Sequence, residues 1–153
     1  MLGEWKYTEQ YGARLLPPEA LNPTRLRTYD KLFRQWREQQ PDLPAYEVFF
    51  SEPFYQLMRL TLLAQEMERL GELEAEVVRV IHIAPAANTG FAQSITSPAL
   101  RTYGRSVSEI WAQLAPKERF VAIPAESLLA VIKQAAPQAL HAWRDDLLRR
   151  YGW

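Results

Sequence analysis

The sequence predicts an α/β fold. Segments 2–8, 77–84 and 120–123 carry the alternating or β-branched apolar residues of short strands, and a segment with helical spacing of apolar residues follows each of them. This alternation of strands and helices is typical of a small sheet covered by helices rather than of a helical bundle. We expect one domain over residues 1–153, because this length is ordinary for a single compact core.

The composition excludes several classes of protein. Hydrophobic residues make up 48% of the chain and charged residues 24%, which excludes a disordered tail and a coiled coil. Eighteen Lys and Arg balance eighteen Asp and Glu, so the chain lacks the global positive field of a protein that coats nucleic acid. This balance does not exclude a local basic patch. The absence of cysteine excludes disulfides, thiol nucleophiles and Cys-based metal sites.

The sequence carries no signal for a membrane. Its first residues lack the positive start and apolar stretch of a secretory signal. No uninterrupted apolar run approaches the ~18 residues that a membrane helix needs. We therefore expect a cytoplasmic protein.

The first strand covers residues 2–8, and a proline-rich loop separates it from the first helix. Thr24 is suited to cap this helix, which we expect over about 25–39. The short apolar run 46–50 fits either a strand or a helical turn. The inward positions of the first helix recur at helical spacing, and the other sides carry basic residues; the inward residues are Leu26, Tyr29, Phe33 and Trp36.

The second helix begins at Ser51-Glu52-Pro53, because proline at the first helical position loses no needed hydrogen bond. We expect it to reach Leu70 or Ala75. Gln56 and Arg59 fall within an apolar arc that should face the sheet, so we expect both side chains to need partners. That arc contains Leu60, Leu62, Leu63, Met67, Leu70 and Leu73, and the opposite side contains Phe54, Thr61, Gln65, Glu68 and Glu72.

The second half of the chain continues the alternation. The strand 77–84 is followed by a long connection, 85–105, with one helical turn near Ala99. Ser106-Val-Ser-Glu109 is a capping box that opens a short helix, and strand 120–123 follows it. We expect residues 125–153 to form a C-terminal helical extension of two helices.

Chemistry-bearing residues lie on the first strand. Positions two apart on a strand project from the same face, so Glu4 and Lys6 stand side by side. A carboxylate binds Mg²⁺ and an amine orients a water molecule, which are the functions that attack on a phosphodiester requires. The alternative is an ion pair on an exposed sheet. On the second helix, Arg59 would pair either with an anion, such as Glu4 or a phosphate, or with Glu66 or the backbone.

Two motifs together resemble the PD-(D/E)xK restriction-endonuclease-like nucleases. The first is Glu4-Trp5-Lys6-Tyr7-Thr8-Glu9 on a strand, and the second is Tyr55-Gln56-Leu57-Met58-Arg59 at a helix start, before a buried strand. A bacterial group within this superfamily has the same pairing of a Glu-x-Lys-Tyr-x-Glu strand with a Tyr-Gln-x-x-Arg helix. The resemblance implies a three-layer core with a small mixed sheet flanked by helices.

The resemblance also implies a magnesium-dependent endonuclease that acts on DNA. By the resemblance, Glu4 would be a metal ligand, the Trp5 carbonyl a second ligand and Lys6 the group that orients or deprotonates water. Glu9 and Tyr55 would be auxiliary residues, and Gln56 and Arg59 would bind the substrate.

The sequence departs from the superfamily pattern in one respect, and this departure leads to alternative expectations about function. The superfamily has an acidic ligand upstream of its Glu-x-Lys strand, whereas only Met1, Leu2 and Gly3 precede Glu4 here. We therefore expect an N-terminally incomplete domain, which is either a shortened nuclease or a noncatalytic interaction module with the same fold. An exposed sheet edge usually finds a partner, so we expect a homodimer. A small α/β anion-binding protein is the third alternative.

Overall fold

The computed structural model of the protein describes residues 1–5, 23–95 and 97–151. In this part of the chain two α-helices follow each strand, and short 3₁₀ turns lie at 46–50, 72–74, 98–103 and 138–140. The strands and helices, in chain order, are β1 (Leu2–Trp5), α1 (Pro23–Gln39), α2 (Phe54–Leu70), β2 (Val80–Ala84), α3 (Thr89–Ala92), α4 (Val107–Leu114), β3 (Phe120–Pro124), α5 (Ala125–Ala135) and α6 (His141–Tyr151).

The α/β fold class is confirmed, but the sheet is simpler than expected. The described strands lie in the order β1-β2-β3, and both pairs are parallel. We expected a mixed sheet, and that was wrong for these strands because helices connect each strand to the next and carry the chain back across the sheet. Glu4 pairs in register with His82, and His82 pairs with Ala122, so these three residues form one row across the sheet.

The core lies between α1, α2 and α4 and is built from aromatic side chains. The rings of Trp36 and Trp111 lie 5.9 Å apart, and Phe49 contacts Trp111 edge-to-face at 5.8 Å. All three side chains are completely buried. The run 46–50, which fitted either a strand or a helical turn, is a 3₁₀ turn, and its Phe49 and Phe50 side chains are buried in this core.

The expected inward face of α2 was partly wrong: Leu60, Leu62 and Met67 pack inward as expected, but other residues do not follow the prediction. Phe54 and Thr61, which were placed on the outer side, are buried, whereas Leu63 and Leu70 are 47% and 54% exposed. The reason is that α2 packs on two sides at once, against the sheet and against α1 and α4, so its buried arc is wider and rotated. Its sheet-facing residues are Leu60, Ala64 and Met67, and its α1- and α4-facing residues are Phe54, Leu57, Met58, Thr61 and Leu62.

Local signals set several helix ends. Gly71 ends α2 in a left-handed conformation with φ of 64°. A residue with a Cβ adopts this conformation less readily than glycine. The Ser106 hydroxyl accepts a hydrogen bond from the Glu109 N–H at 3.2 Å, which confirms the expected cap of α4. The Glu109 carboxylate accepts from the Arg105 N–H at 2.8 Å, one residue before the position that a regular capping box uses.

The C-terminal helices lie at the periphery. Ala125 and Leu129 of α5 are buried against the rest of the molecule, but none of residues 141–150 in α6 is buried. Within the described ranges, no helix has both the length and the hydropathy to cross a membrane.

Candidate functional site

A groove of about 380 Å³ opens between β1 and the first turns of α1 and α2. Glu4 from β1 lies on one side, and Gln56 and Arg59 from α2 lie on the other. Tyr29 of α1 and two leucines of α2, Leu60 and Leu63, complete the lining. The structure therefore brings three of the residues singled out by the sequence, Glu4, Gln56 and Arg59, into one concavity.

Glu4 is positioned by the parallel pairing of β1 with β2. Its partner in the register is His82, so both side chains project from the same face of the sheet. The His82 ring is buried and stacks on Phe91 with ring centres 5.0 Å apart, whereas Glu4 is half-buried at the groove. His82 is thus part of the packed interior beside β1, and Glu4 is the acidic group that lines the groove.

Among the described residues, Arg59 contacts an aromatic ring rather than a carboxylate. Its guanidinium carbon lies 5.5 Å from the centre of the Tyr55 ring, and the guanidinium carbon of Arg25 lies 5.3 Å from the same centre. Arg59 is exposed, so the expectation that it points into the apolar core was wrong. Glu66, one of its expected partners, is bound instead by Arg69 at 2.5 Å.

Gln56 lies one turn before Arg59 and is half-buried. Its carbonyl oxygen Oε1 is buried and has no hydrogen-bond partner among the residues that the structure describes. A buried amide oxygen without a partner is unfavourable by about 1 to 3 kcal/mol. This side chain is therefore a polar group of the groove wall that would gain from a donor supplied by a ligand or by water.

The ring of Tyr55 is the surface against which Arg25 and Arg59 pack. It is buried, stacks on Phe50 with ring centres 5.4 Å apart, and meets Tyr29 edge-to-face at 6.1 Å. Burial and a hydrogen bond to Tyr29 raise the pKa of the Tyr55 phenol, and the charges of Arg25 and Arg59 oppose that rise. The ring is therefore neutral at ordinary pH and offers its face to cations.

Arg59 in the groove lining and Arg25 at the same Tyr55 ring form a local pair of positive charges. Among the described residues, neither Arg25 nor Arg59 forms an ion pair, while Arg34 and Arg69 are each neutralised by a carboxylate on their own helix. Stacking on a ring leaves the N–H groups at the edge of a guanidinium available for a phosphate or carboxylate. Sequence analysis missed Arg25 and Tyr29 as site residues, because only the packing of α1 beside α2 places them at this groove.

The structure describes only some of the candidate residues of the first motif. Lys6 and Glu9 lie outside the described residues, and Trp5 is the last described residue of β1, paired in register with Ile83. In the part of the chain that is described, no group of three or more His, Asp or Glu side chains comes together. Glu4 supplies one carboxylate, which matches a magnesium ion only when a substrate phosphate provides further oxygen ligands.

Two polar residues of the 85–105 connection, Asn88 and Ser94, support its local structure. The Asn88 side chain accepts a hydrogen bond from the Phe91 N–H at 3.0 Å and so caps α3. Ser94 donates its hydroxyl hydrogen to the Gly90 carbonyl at 2.7 Å. These contacts support a helical turn at Thr89–Ala92, which was not expected. The turn that was expected near Ala99 is present as the 3₁₀ turn 98–103.

Comparison with known proteins agrees with the two sequence motifs. Residues 1–152 match the model of a family described as "Restriction Endonuclease associating with ARP". A comparison with curated proteins and one with solved structures give no match. The match spans almost all of the chain and includes both motifs, which confirms the resemblance to restriction-endonuclease-like proteins. The chain belongs to the family of restriction endonucleases associating with ARP.

Proposed function

We propose that the chain is a magnesium-dependent DNA endonuclease whose substrate lies in the groove between β1 and the start of α2. The observation that carries this proposal is the meeting of Glu4, Gln56 and Arg59 at one groove, together with a second arginine, Arg25, at the same Tyr55 ring. The family to which the chain belongs supports the same reaction class.

The arginines would hold the phosphodiester backbone. The chain carries no net charge, so attraction to DNA has to come from a local patch rather than from the whole molecule. Arg25 and Arg59 form such a patch, because each has donors free of carboxylate partners among the described residues. Arginine forks donate two parallel hydrogen bonds to a phosphate, which fixes its orientation as well as its position.

The first strand would carry the chemistry. Glu4, with the Trp5 carbonyl, would hold the magnesium ion, and Lys6 would orient the attacking water. When bound, such an ion neutralises developing charge on the phosphate and lowers the pKa of a coordinated water. Glu9 would assist from the continuation of the motif, and Gln56 would contact the substrate from the opposite wall of the groove.

The description of the family names an association with ARP. We extend this to the present chain and propose that it works together with an ARP protein. Co-purification of tagged ARP with the chain from a strain that expresses both would support the association. Separate elution of the two proteins under the same conditions would contradict it, without bearing on the groove.

A plasmid-nicking assay tests the proposed reaction. The purified chain should convert supercoiled plasmid to the nicked form with Mg²⁺ or Mn²⁺, and Lys6→Ala should abolish this conversion. Lys117→Ala is the matched control, because it removes another of the four lysines, one that lies outside the first motif. Nicking that survives Lys6→Ala would sink the assignment. DNA binding without nicking by the wild type would favour the noncatalytic module of the same fold.

A further inference from the structure

The groove between β1 and α2 combines an apolar wall with the arginine pair. Leu63 is 47% exposed, and Leu60 and Tyr29 are half-buried in the same lining. Arg59 lines the groove with them, and Arg25 contacts the same tyrosine ring as Arg59. A phosphate group presents only charged oxygens, so it makes no use of the apolar wall. A ligand that fits the whole groove therefore carries an anionic part and an apolar part close together.

Gln56 adds a requirement for a hydrogen-bond donor. It lines the groove, and its buried amide oxygen Oε1 has no partner among the described residues. This oxygen accepts hydrogen bonds, so it cannot pair with a phosphate oxygen, which is also an acceptor. Within a DNA strand the phosphates are ionised and the deoxyribose has no hydroxyl, so the donors are the N–H groups of the bases. The part of a DNA strand that satisfies Gln56 is therefore a base.

The shape of the groove favours a base that is not paired. A double helix exposes only the edges of its stacked bases, and proteins read these edges with elements that project into the grooves of the DNA. Gln56 instead lies in a concavity of about 380 Å³, in the lower part of the roughly 300 to 1,000 Å³ typical of sites for one small molecule. A base out of its stack can enter such a space and lay its face on apolar side chains.

We propose that the groove binds single-stranded DNA, with one unpaired base held between Gln56 and the apolar wall of Tyr29, Leu60 and Leu63. The phosphates beside this nucleotide pair with the two arginines. Duplex DNA keeps the phosphate contacts but does not supply the base, so it binds more weakly. Preference for a single strand rests on the proposed function, because that function makes DNA the substrate. A supercoiled plasmid offers unpaired bases where negative supercoiling opens the duplex.

Fluorescence anisotropy without Mg²⁺ tests the proposal, because binding is then measured in the absence of cleavage. The probes are a labelled single strand, the duplex of the same sequence, and a strand of the same length in which abasic sites replace the bases. The ordinary single strand should bind about tenfold more tightly than the duplex, as expected for the stacking of one base. The abasic strand, which keeps every phosphate, should bind no more tightly than the duplex.

Two variants test the two kinds of contact to the base. Gln56→Leu removes the acceptor, and Leu63→Ala shortens an exposed side chain of the apolar wall, so its effect does not depend on the fold. Each should reduce the preference for the single strand over the duplex by about fivefold.

The matched controls are Gln65→Leu and Leu70→Ala. Gln65 lies on the opposite side of α2 from Gln56, and Leu70 is 54% exposed on the same helix but lies outside the groove lining. Both control variants should keep the preference of the wild type.

A duplex or an abasic strand that binds as tightly as the ordinary single strand would overturn the proposal. So would controls that lose the preference as fully as Gln56→Leu and Leu63→Ala. Failure of the nuclease activity gives a different result: a chain that prefers the single strand but cuts neither it nor plasmid with Mg²⁺ supports the proposed binding and removes the proposed reaction. A chain that nicks plasmid but binds duplex equally well does the reverse.

Discussion

The indole N–H of Trp111 donates a hydrogen bond to the hydroxyl oxygen of Thr61 over 3.2 Å, in the buried core. This contact joins α4 to α2 and explains why a polar residue of α2 faces inward. Burial removes the hydrogen bonds that both groups make to water, and the bond between Trp111 and Thr61 replaces them. The bond agrees with the rotation that the packing of α2 against the sheet, α1 and α4 produces, which also sets the side of the helix on which Gln56 and Arg59 emerge.

Thr61→Val should therefore destabilise the protein. The valine keeps the shape of the side chain but leaves the Trp111 N–H buried without an acceptor, at a cost of about 1 to 3 kcal/mol. Thr28→Val is the matched control, since the Thr28 hydroxyl donates to the Thr24 carbonyl on the exposed side of α1. Urea denaturation of both variants measures the difference. Equal midpoints for the two would contradict a structural role for the Thr61 hydroxyl.

Glu68 ties the end of α2 to the sheet. Its carboxylate accepts a hydrogen bond from the Val78 N–H at 2.6 Å and pairs with Arg119 at 3.0 Å, just before β2 and β3 begin. Glu68→Ala should lower the free energy of unfolding by about 1 to 3 kcal/mol, because a partly buried N–H loses its charged acceptor. Glu66→Ala removes a carboxylate that pairs with Arg69, an exposed arginine of the same helix, and should change stability little. Thermal unfolding of both variants checks this contrast, and a larger loss for Glu66→Ala would refute it.

Alkaline pH should destabilise the protein through Tyr46. Burial raises the pKa of its phenol, with a further contribution from the Asp30 carboxylate, and its hydroxyl donates to the Leu26 carbonyl at 2.9 Å. Below pH ~10, the ordinary tyrosine pKa, both folded and unfolded chains are protonated and the stability is fully present. Above it the unfolded chain loses the proton first, so stability falls as pH rises towards the folded-state pKa.

Denaturant midpoints measured at about pH 8 and about pH 11 test this dependence, on either side of the ordinary tyrosine pKa. The midpoint of the wild type should fall between the two. Tyr46→Phe should show a smaller fall, although it starts lower because the bond to Leu26 is lost. A fall of the same size in Tyr46→Phe would assign the alkaline effect to other groups.

The two arginines at Tyr55 should each contribute to DNA affinity. Removal of one charge-assisted contact to phosphate costs about 1.5 kcal/mol, so Arg25→Ala and Arg59→Ala should each weaken binding roughly tenfold. The slope of log affinity against log salt concentration should decrease by about 1 for each variant. Fluorescence anisotropy with a labelled duplex measures both quantities.

Arg69→Ala provides the control for this pair. Arg69 lies on the same helix as Arg59 and is exposed, but Glu66 neutralises it. Its removal should leave both the affinity and the salt slope unchanged. If Arg69→Ala weakened binding as much as Arg59→Ala, binding would be spread over the surface rather than located at the groove.

Local residue patterns predicted the positions of strands and helices well. The helix 25–39 was predicted from its apolar spacing, and α1 covers Pro23–Gln39; the expected cap was wrong, because Thr24 lies inside the helix. The strand 120–123 and the cap at Ser106 were predicted in the same way and are confirmed. These features depend on a few neighbouring residues, which the sequence displays directly.

Features that depend on packing were not predictable from one helix at a time. The rotation of α2 depends on its packing against the sheet, α1 and α4, which brings Thr61 to Trp111, 50 positions further along the chain. The place of Arg25 in the site depends on the packing of α1 beside α2. The sequence singled out Glu4 and Arg59 by their motifs, but it could not show that a tyrosine ring, rather than Glu66, would hold Arg59.

The most direct test of the groove is the nicking rate of Glu4→Gln measured beside its affinity for the same DNA. Our account predicts that this variant, which keeps the size of the side chain and removes its charge, binds DNA within about twofold of the wild type. It should lose about a hundredfold or more in nicking rate, as expected for removal of a group that acts on the reacting atoms. A Glu4→Gln variant that nicks plasmid as fast as the wild type would contradict the assignment of the groove as the catalytic site.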